Sequence, residues 1–241
     1  MRSHFRRVME ACRGTVLHPQ WLLRGSHGVE DLVRCLPKGR VLDVGCADRW
    51  IAKQLPMECD YLGMDYPATG RDMYGARPDF FADAARIPLP DASMEAVLML
   101  EVVEHLRYPR EALAECARIL VPGGILLASM PFLYPMHDEP HDYQRYTLHG
   151  WRREVEAVGL ELNQIHPTLK AIETAGLLAC LALAGGLQDS LRGGRSVRAM
   201  ALLPVVGLVV PSINVITWLV AKLWPSWPAA PSGYVLSATK K

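Results

Sequence analysis

The chain has almost no net charge: 26 Lys and Arg stand against 25 Asp and Glu, leaving +1. Without a global basic field, no nucleic-acid partner is expected. It also lacks any CxxC pair or zinc-type Cys/His spacing. Its six cysteines (Cys12, Cys35, Cys46, Cys59, Cys116 and Cys180) are scattered, several in apolar or helical contexts. Free cysteine there behaves as a small hydrophobe, so reduced thiols in a cytoplasmic protein are the expectation. The leading stretch Met1–Arg7 is basic and has no apolar h-region, so no secretory signal is expected. Internal repeats and low-complexity tracts are absent. So is Gly-x-Gly-x-x-Gly: Gly45 is the lone glycine in the first strand–turn unit, which speaks against a nicotinamide enzyme.

What is present is an alternation of short apolar runs and amphipathic stretches over 241 residues. Residues 27–36 read as a helix, with Val29, Leu32, Val33 and Leu36 on one face. Strands are predicted at 41–44, 61–64, 80–82, 96–100, 125–129, 160–165 and 233–239. Helices are predicted at 48–55, 109–120 and 147–158. Pro109 near a helix start and Pro122-Gly123-Gly124 after its end fit the asymmetry of helix termini. Strands alternating with helices imply an α/β fold with a mostly parallel sheet covered on both faces.

Acids close the first three strands. Asp43 ends the first, and Gly45 lets backbone approach a ligand. Asp65 ends the second, where a carboxylate can accept both hydroxyls of a ribose. Asp83 ends the third, where a side chain can meet the edge of an adenine. The fourth strand runs through Leu100-Glu101 into Glu104-His105.

In this order and spacing, residues 27–165 and the terminal strand resemble the class I S-adenosylmethionine-dependent methyltransferases, most closely their type 11 group. The resemblance implies a Rossmann-like seven-stranded sheet of order 3-2-1-4-5-7-6, the last strand antiparallel, and S-adenosylmethionine as cofactor. It places Asp43 and Gly45 in the loop near the methionine moiety, Asp65 on the ribose, and Asp83 and Ala84 on the adenine. Leu100 and Glu101 fall beside the sulfonium. The sequence departs from the family's Gly-x-Gly-x-Gly, since Ala47 and Arg49 stand where glycines are usual.

The segment after the fifth strand, 130–147, is dense in titratable and aromatic groups. It lies at the carboxyl edge of the sheet, where open α/β folds bind ligands. Methyl transfer needs alignment, and an oxygen acceptor must also lose a proton. His137 and His141 are the candidate bases, with Asp142 as orienting partner or base. Tyr134, Arg145 and Tyr146 are candidates for holding the acceptor, and Arg145 has a structural alternative as a clamp on Asp138 or Asp142. His137, Asp138, Glu139, His141 and Asp142 are metal-ligand types, but no helix gathers them on one face and Pro140 interrupts them. No metal is expected there. The His-x-x-Pro-His-Asp-Tyr-x-Arg-Tyr-Thr pattern has a looser resemblance to methyltransferases of bacterial surface-polysaccharide assembly, which suggests a sugar hydroxyl, free or on a lipid carrier.

Residues 169–231 form an apolar insertion before the last strand, so 1–168 and 232–241 are expected to form the catalytic domain. The insertion holds two apolar runs around a basic turn, Leu191–Arg198. Proline punctuates the second run, so a helical subdomain that caps the site or dips into the inner leaflet is preferred over simple spanning. A dimer surface is the alternative. Three functions stay open: O-methylation of a saccharide acceptor, O- or N-methylation of a small-molecule or natural-product acceptor, and a membrane-associated scaffold without catalysis.

Overall fold

The computed structural model describes residues 12–25, 28–194 and 196–241. They group into two compact units. The larger comprises Gly28–Phe132, Met136–His166 and Gly233–Lys241; the smaller comprises Leu133–Pro135, Pro167–Ser232 and the described part of residues 1–27.

The larger unit is built on seven strands: β1 Gly39–Val44, β2 Cys59–Asp65, β3 Phe80–Phe81, β4 Met94–Leu100, β5 Leu120–Pro131, β6 Leu160–Pro167 and β7 Gly233–Lys240. Their order is β3-β2-β1-β4-β5-β7-β6. β1 to β5 pair in parallel, and β7 runs antiparallel to β5. This is the order that the family resemblance implied.

Alternation along the central strands divides the core between two faces. Leu42, Val97, Met99, Leu126 and Leu236 point to one side, where α2 (Pro109–Ile119) contributes Leu113 and Cys116 and α3 (Leu148–Ala157) contributes Trp151. Val41, Ala96, Leu98, Leu127 and Val235 point to the other, against Val33 of α1 (Gly28–Arg34). With both faces covered, the inner strands carry continuous apolar runs. Pro109 opens α2, and Thr147 caps α3 by accepting the Gly150 N–H at 3.0 Å.

Two local expectations need correction. The helix expected over 48–55 is only a 3-10 turn, Trp50–Gln54, preceded by Arg49 in the left-handed region at φ 60°. The chain spends the first residues after β1 on a loop, and Pro56 stops it soon after. The strand expected over 125–129 extends over Leu120–Pro131, with a register irregularity where Pro122-Gly123-Gly124 intervenes.

The smaller unit contains two long antiparallel helices, α4 (Ala171–Arg192) and α5 (Ser196–Leu223). They approach closely at Gly176, where a Cβ would come within 2.5 Å of Thr217 Oγ1. Buried Asn214 donates to the carbonyls of Val16 and His18 at 2.8 and 3.0 Å. α5 continues unbroken through Pro204 and Pro211. Both helices are long and apolar enough to cross a membrane, with mean hydropathy 1.4 for α4 and 2.2 for α5.

Candidate functional site

The loop after β1 folds as a glycine-rich loop would, although two of its glycines are missing. Gly45, Ala47 and Arg49 have φ of 75°, 43° and 60°. Left-handed backbone costs a residue with a Cβ about 1 kcal/mol or more, so bonds around the loop must hold it. Asp65 supplies one: its Oδ2 accepts the Ala47 N–H at 2.9 Å. Its Oδ1 accepts the Tyr66 N–H at 2.8 Å. Arg49 supplies another. Its guanidinium turns to Asp79 at 2.6 Å and stacks over the Tyr61 ring at 4.9 Å. Asp79 in turn accepts the Gly63 N–H at 2.7 Å.

Gly45 has no room for a side chain, since a Cβ would lie 2.5 Å from Val102 Cγ2. Asp43 is buried behind this loop and accepts the Tyr61 hydroxyl at 2.6 Å. Burial pushes its pKa up to about 7, against the lowering effect of the Tyr61 bond and helped by the nearby Asp65 charge. Asp83 is exposed after β3, and its Oδ1 accepts the Ala85 N–H at 2.9 Å. Buried Ala84 sits in the same turn.

At the end of β4, Leu100 packs partly into the core and Glu101 turns out at φ 56°. Ser129 of β5 fixes that turn: its hydroxyl donates to Glu101 Oε1 at 2.7 Å and accepts the Glu101 N–H at 3.1 Å. Desolvation raises the pKa of Glu101, while the Ser129 bond and the charges of His137 and Arg145 oppose the rise. The β4 terminus is thus electrostatically joined to the 130–147 loop.

In that loop, Asp142 is the organising group. Arg145 grips both its carboxylate oxygens, with a short contact at Oδ1 and 2.8 Å at Oδ2. Asp142 Oδ2 also accepts the His137 N–H at 3.0 Å and lies 3.4 Å from His137 Nδ1. The Arg145 guanidinium holds the Asp142 pKa down to about 2, so the carboxylate stays ionised. His137 is therefore a histidine oriented by a charged carboxylate, as a base requires.

His141 is not brought to His137 in this way. Its Nδ1 lies 3.3 Å from the Tyr143 hydroxyl, and its carbonyl accepts His105 Nδ1 at 2.8 Å. Tyr146 packs edge-on against Trp151, with ring centroids 5.4 Å apart. Arg145 and Tyr146 also line an open cleft of about 450 Å³ with Thr147, His149, Gly150 and Arg153. Tyr134 belongs to the smaller unit, where its hydroxyl accepts Gln20 Nε2 in a short bond and its ring packs by Leu22 and Leu169.

Sequence reasoning missed the role of Glu104 and His105 as neighbours of His137. Glu104 is fully buried, and neither carboxylate oxygen has a hydrogen bond. His105 and His137 stack edge-to-face at 4.9 Å beside it. Burial, and next the charge of Glu101, push the Glu104 pKa up to about 9. Burial lowers that of His105, against the raising effect of its bond to the His141 carbonyl. The signal was present as an acid and a histidine following an apolar strand, but only the fold brings His137 to them.

The family described as "Methyltransferase domain" matches residues 42–128. A protein of Mycolicibacterium smegmatis named "Probable S-adenosylmethionine-dependent methyltransferase" is 34% identical over 96 residues, covering 38% of this chain and 37% of the relative. The O-methyltransferase cnsE of Penicillium expansum is 29% identical over 126 residues, 45% of each chain. The matched stretch thus spans less than half the length of these relatives. Among solved structures, a SAM-dependent methyltransferase from Thermotoga maritima superposes with a TM-score of 0.56 at 16% identity, over 98% of this chain and 97% of its own. That likeness shows the fold. The loop after β1, the acids ending β1 and β2 and the matched family together make residues 42–128 a class I S-adenosylmethionine-dependent methyltransferase domain of the type 11 group.

Proposed function

We propose that the chain transfers the methyl group of S-adenosylmethionine to a hydroxyl oxygen of a saccharide, carried on a lipid at the inner face of the membrane. The observation that carries the oxygen-acceptor reading is the Arg145–Asp142–His137 chain, in which an ionised carboxylate stands 3.4 Å from His137 Nδ1.

The residues fit the cofactor. Left-handed backbone at Gly45, Ala47 and Arg49 opens the loop after β1, and a side chain at Gly45 would collide with Val102. Asp65, Asp83 and Ala84 supply the ribose and adenine positions, and Glu101 stands at the β4 end, where the resemblance puts the sulfonium. When bound, the cofactor supplies an electrophilic methyl on sulfur. His137 would take the proton that an acceptor hydroxyl gives up as its oxygen receives the methyl group. Alignment supplies most of the rate, and the base contributes roughly a hundredfold or more.

The lipid part of the reading rests on the smaller unit. α5 leaves Leu203, Leu208, Ile216, Leu219 and Leu223 exposed, with Trp218, Trp224 and Trp227 gathered towards one end. An apolar helix with terminal tryptophans suits the boundary of a bilayer. A small-molecule acceptor is the second reading, supported by similarity to an O-methyltransferase.

The test offers the purified chain radiolabelled S-adenosylmethionine with a panel of lipid-linked saccharides, the matching free saccharides, small phenols and small amines. Label on the sugar oxygen of lipid-linked acceptors is expected. Label on phenols alone moves the assignment to the small-molecule reading, and label on amines alone removes the O-methyl assignment.

A further inference from the structure

Glu104 poses a problem that the methyl-transfer chemistry leaves unsolved. A buried carboxylate is normally hydrogen-bonded, because losing water without replacement costs several kcal/mol. Here the side chain is fully buried and neither oxygen is bonded. What faces it is a pair of imidazole nitrogens. His105 Nε2 lies 3.7 Å from Glu104 Oε1 and His137 Nε2 lies 3.9 Å from the same oxygen. One ligand atom from each of the three residues falls within 4.8 Å of the others.

Both histidines are held from behind. The His141 carbonyl accepts His105 Nδ1 at 2.8 Å, which fixes the tautomer and leaves the Nε2 lone pair directed to Glu104. Asp142 stands behind His137 Nδ1 at 3.4 Å and is itself gripped by Arg145. Partners of this kind, a carbonyl or carboxylate behind each imidazole, orient metal-binding histidines. Asp138 Oδ2, 3.9 Å from His105 Nε2, lies on the same side.

We infer that Glu104, His105 and His137 bind one divalent first-row transition-metal ion, with positions left for water or an acceptor oxygen. Ligands at about 2.0–2.1 Å from a tetrahedral ion sit roughly 3.4 Å apart, so the 3.7 and 3.9 Å to Glu104 close by a few tenths of an ångström, and the two imidazoles, within 4.8 Å of each other, turn together by up to about 1.4 Å. Two imidazoles and one carboxylate select ions of the zinc, cobalt or iron(II) type over magnesium and calcium, which prefer all-oxygen shells. In the metal-loaded chain His137 Nε2 would be a ligand rather than the base, and an acceptor hydroxyl on the ion would itself lose its proton more readily. The binding site itself is independent of the proposed acceptor, and metal binding is measured without cofactor or substrate.

The experiment titrates Co²⁺ into the chelator-treated full chain and follows visible absorption, with Zn²⁺ and Mg²⁺ as competitors. Wild type is expected to develop ligand-field bands that saturate at one equivalent, are displaced by Zn²⁺ and survive excess Mg²⁺. His137→Ala and Glu104→Gln are expected to lose the bands, and Asp142→Asn to weaken binding by about tenfold or more. Circular dichroism identifies variants that retain the fold, and His137→Ala, at a partly exposed position, keeps the test decisive if Glu104→Gln unfolds. Absence of saturating bands in wild type overturns the inference. So does their persistence in folded His137→Ala, which would place the ion on cysteine or another group.

Discussion

Asp65 Oδ2 accepts the Ala47 N–H at 2.9 Å, so the acid that ends β2 also holds the strained loop that follows β1. Removing that acid would act on the loop it holds and, on the proposed reading, on the cofactor ribose. Asp65→Asn keeps size but loses charge at both. A hydrogen bond to a charged group contributes about 1.5–3 kcal/mol, or tenfold and more in affinity. Asp65→Ala is therefore expected to weaken S-adenosylhomocysteine binding at least tenfold by calorimetry, with Asn intermediate. Unchanged affinity in a folded Asp65→Ala variant would remove the ribose assignment.

Ala47 keeps a left-handed backbone at φ 43° without glycine's freedom. Ala47→Gly is expected to stabilise the chain by about 1 kcal/mol, read as a raised urea midpoint, without weakening cofactor binding. Arg49→Gly removes the same strain, but it also removes the Asp79 ion pair and the stacking on Tyr61, so no comparable gain is expected. Equal stabilisation by both would show that the Arg49 contacts contribute nothing.

His137→Ala and Asp142→Asn are expected to lower turnover roughly a hundredfold while sparing cofactor affinity. His141→Ala is expected to be milder, since His141 faces Tyr143 and no carboxylate orients it. A full hundredfold loss in His141→Ala with normal turnover in His137→Ala would reverse the assignment of the base.

Asp142 also predicts a pH dependence. Its folded pKa is depressed to about 2 from 3.8, chiefly by Arg145. The stabilisation is complete above the unfolded value and is lost as pH falls through the folded one. The stability difference between wild type and Asp142→Asn should be constant near neutrality and shrink only under acid. A difference that shrinks near neutral pH would contradict the ionised clamp.

The exposed apolar face of α5 predicts affinity for lipid. Burying a leucine side chain contributes about 1.5–3 kcal/mol. Leu208→Glu with Leu219→Glu should lower co-flotation with anionic vesicles by an order of magnitude or more. Equal flotation of wild type and the double variant, or none by either, would favour the dimer surface or lid.

The fold was legible because its signals are local. Apolar strands end in acids at regular spacing, and Pro109 and Thr147 mark helix starts that the structure keeps. The loop after β1 misled because a helix after a glycine-containing turn is the common outcome, whereas Ala47 and Arg49 take left-handed conformations held by Asp65 and Asp79. Prolines at 204 and 211 suggested breaks, yet α5 runs through both. Within the acceptor loop, the link of His137 to Asp142 was readable from a spacing of five residues. Its link to Glu104 crosses more than thirty positions, and only tertiary packing creates it. The same packing turned Tyr146 onto Trp151 and gave Tyr134 to the smaller unit.

On the proposed reading, the loop after β1 and the acids ending β2 and β3 hold S-adenosylmethionine. Calorimetric titration of the full chain with S-adenosylhomocysteine tests it most directly. One saturable site is expected, which disappears or weakens at least tenfold in Asp65→Ala. A folded wild-type chain that releases no heat and shows no competition by S-adenosylmethionine would contradict it.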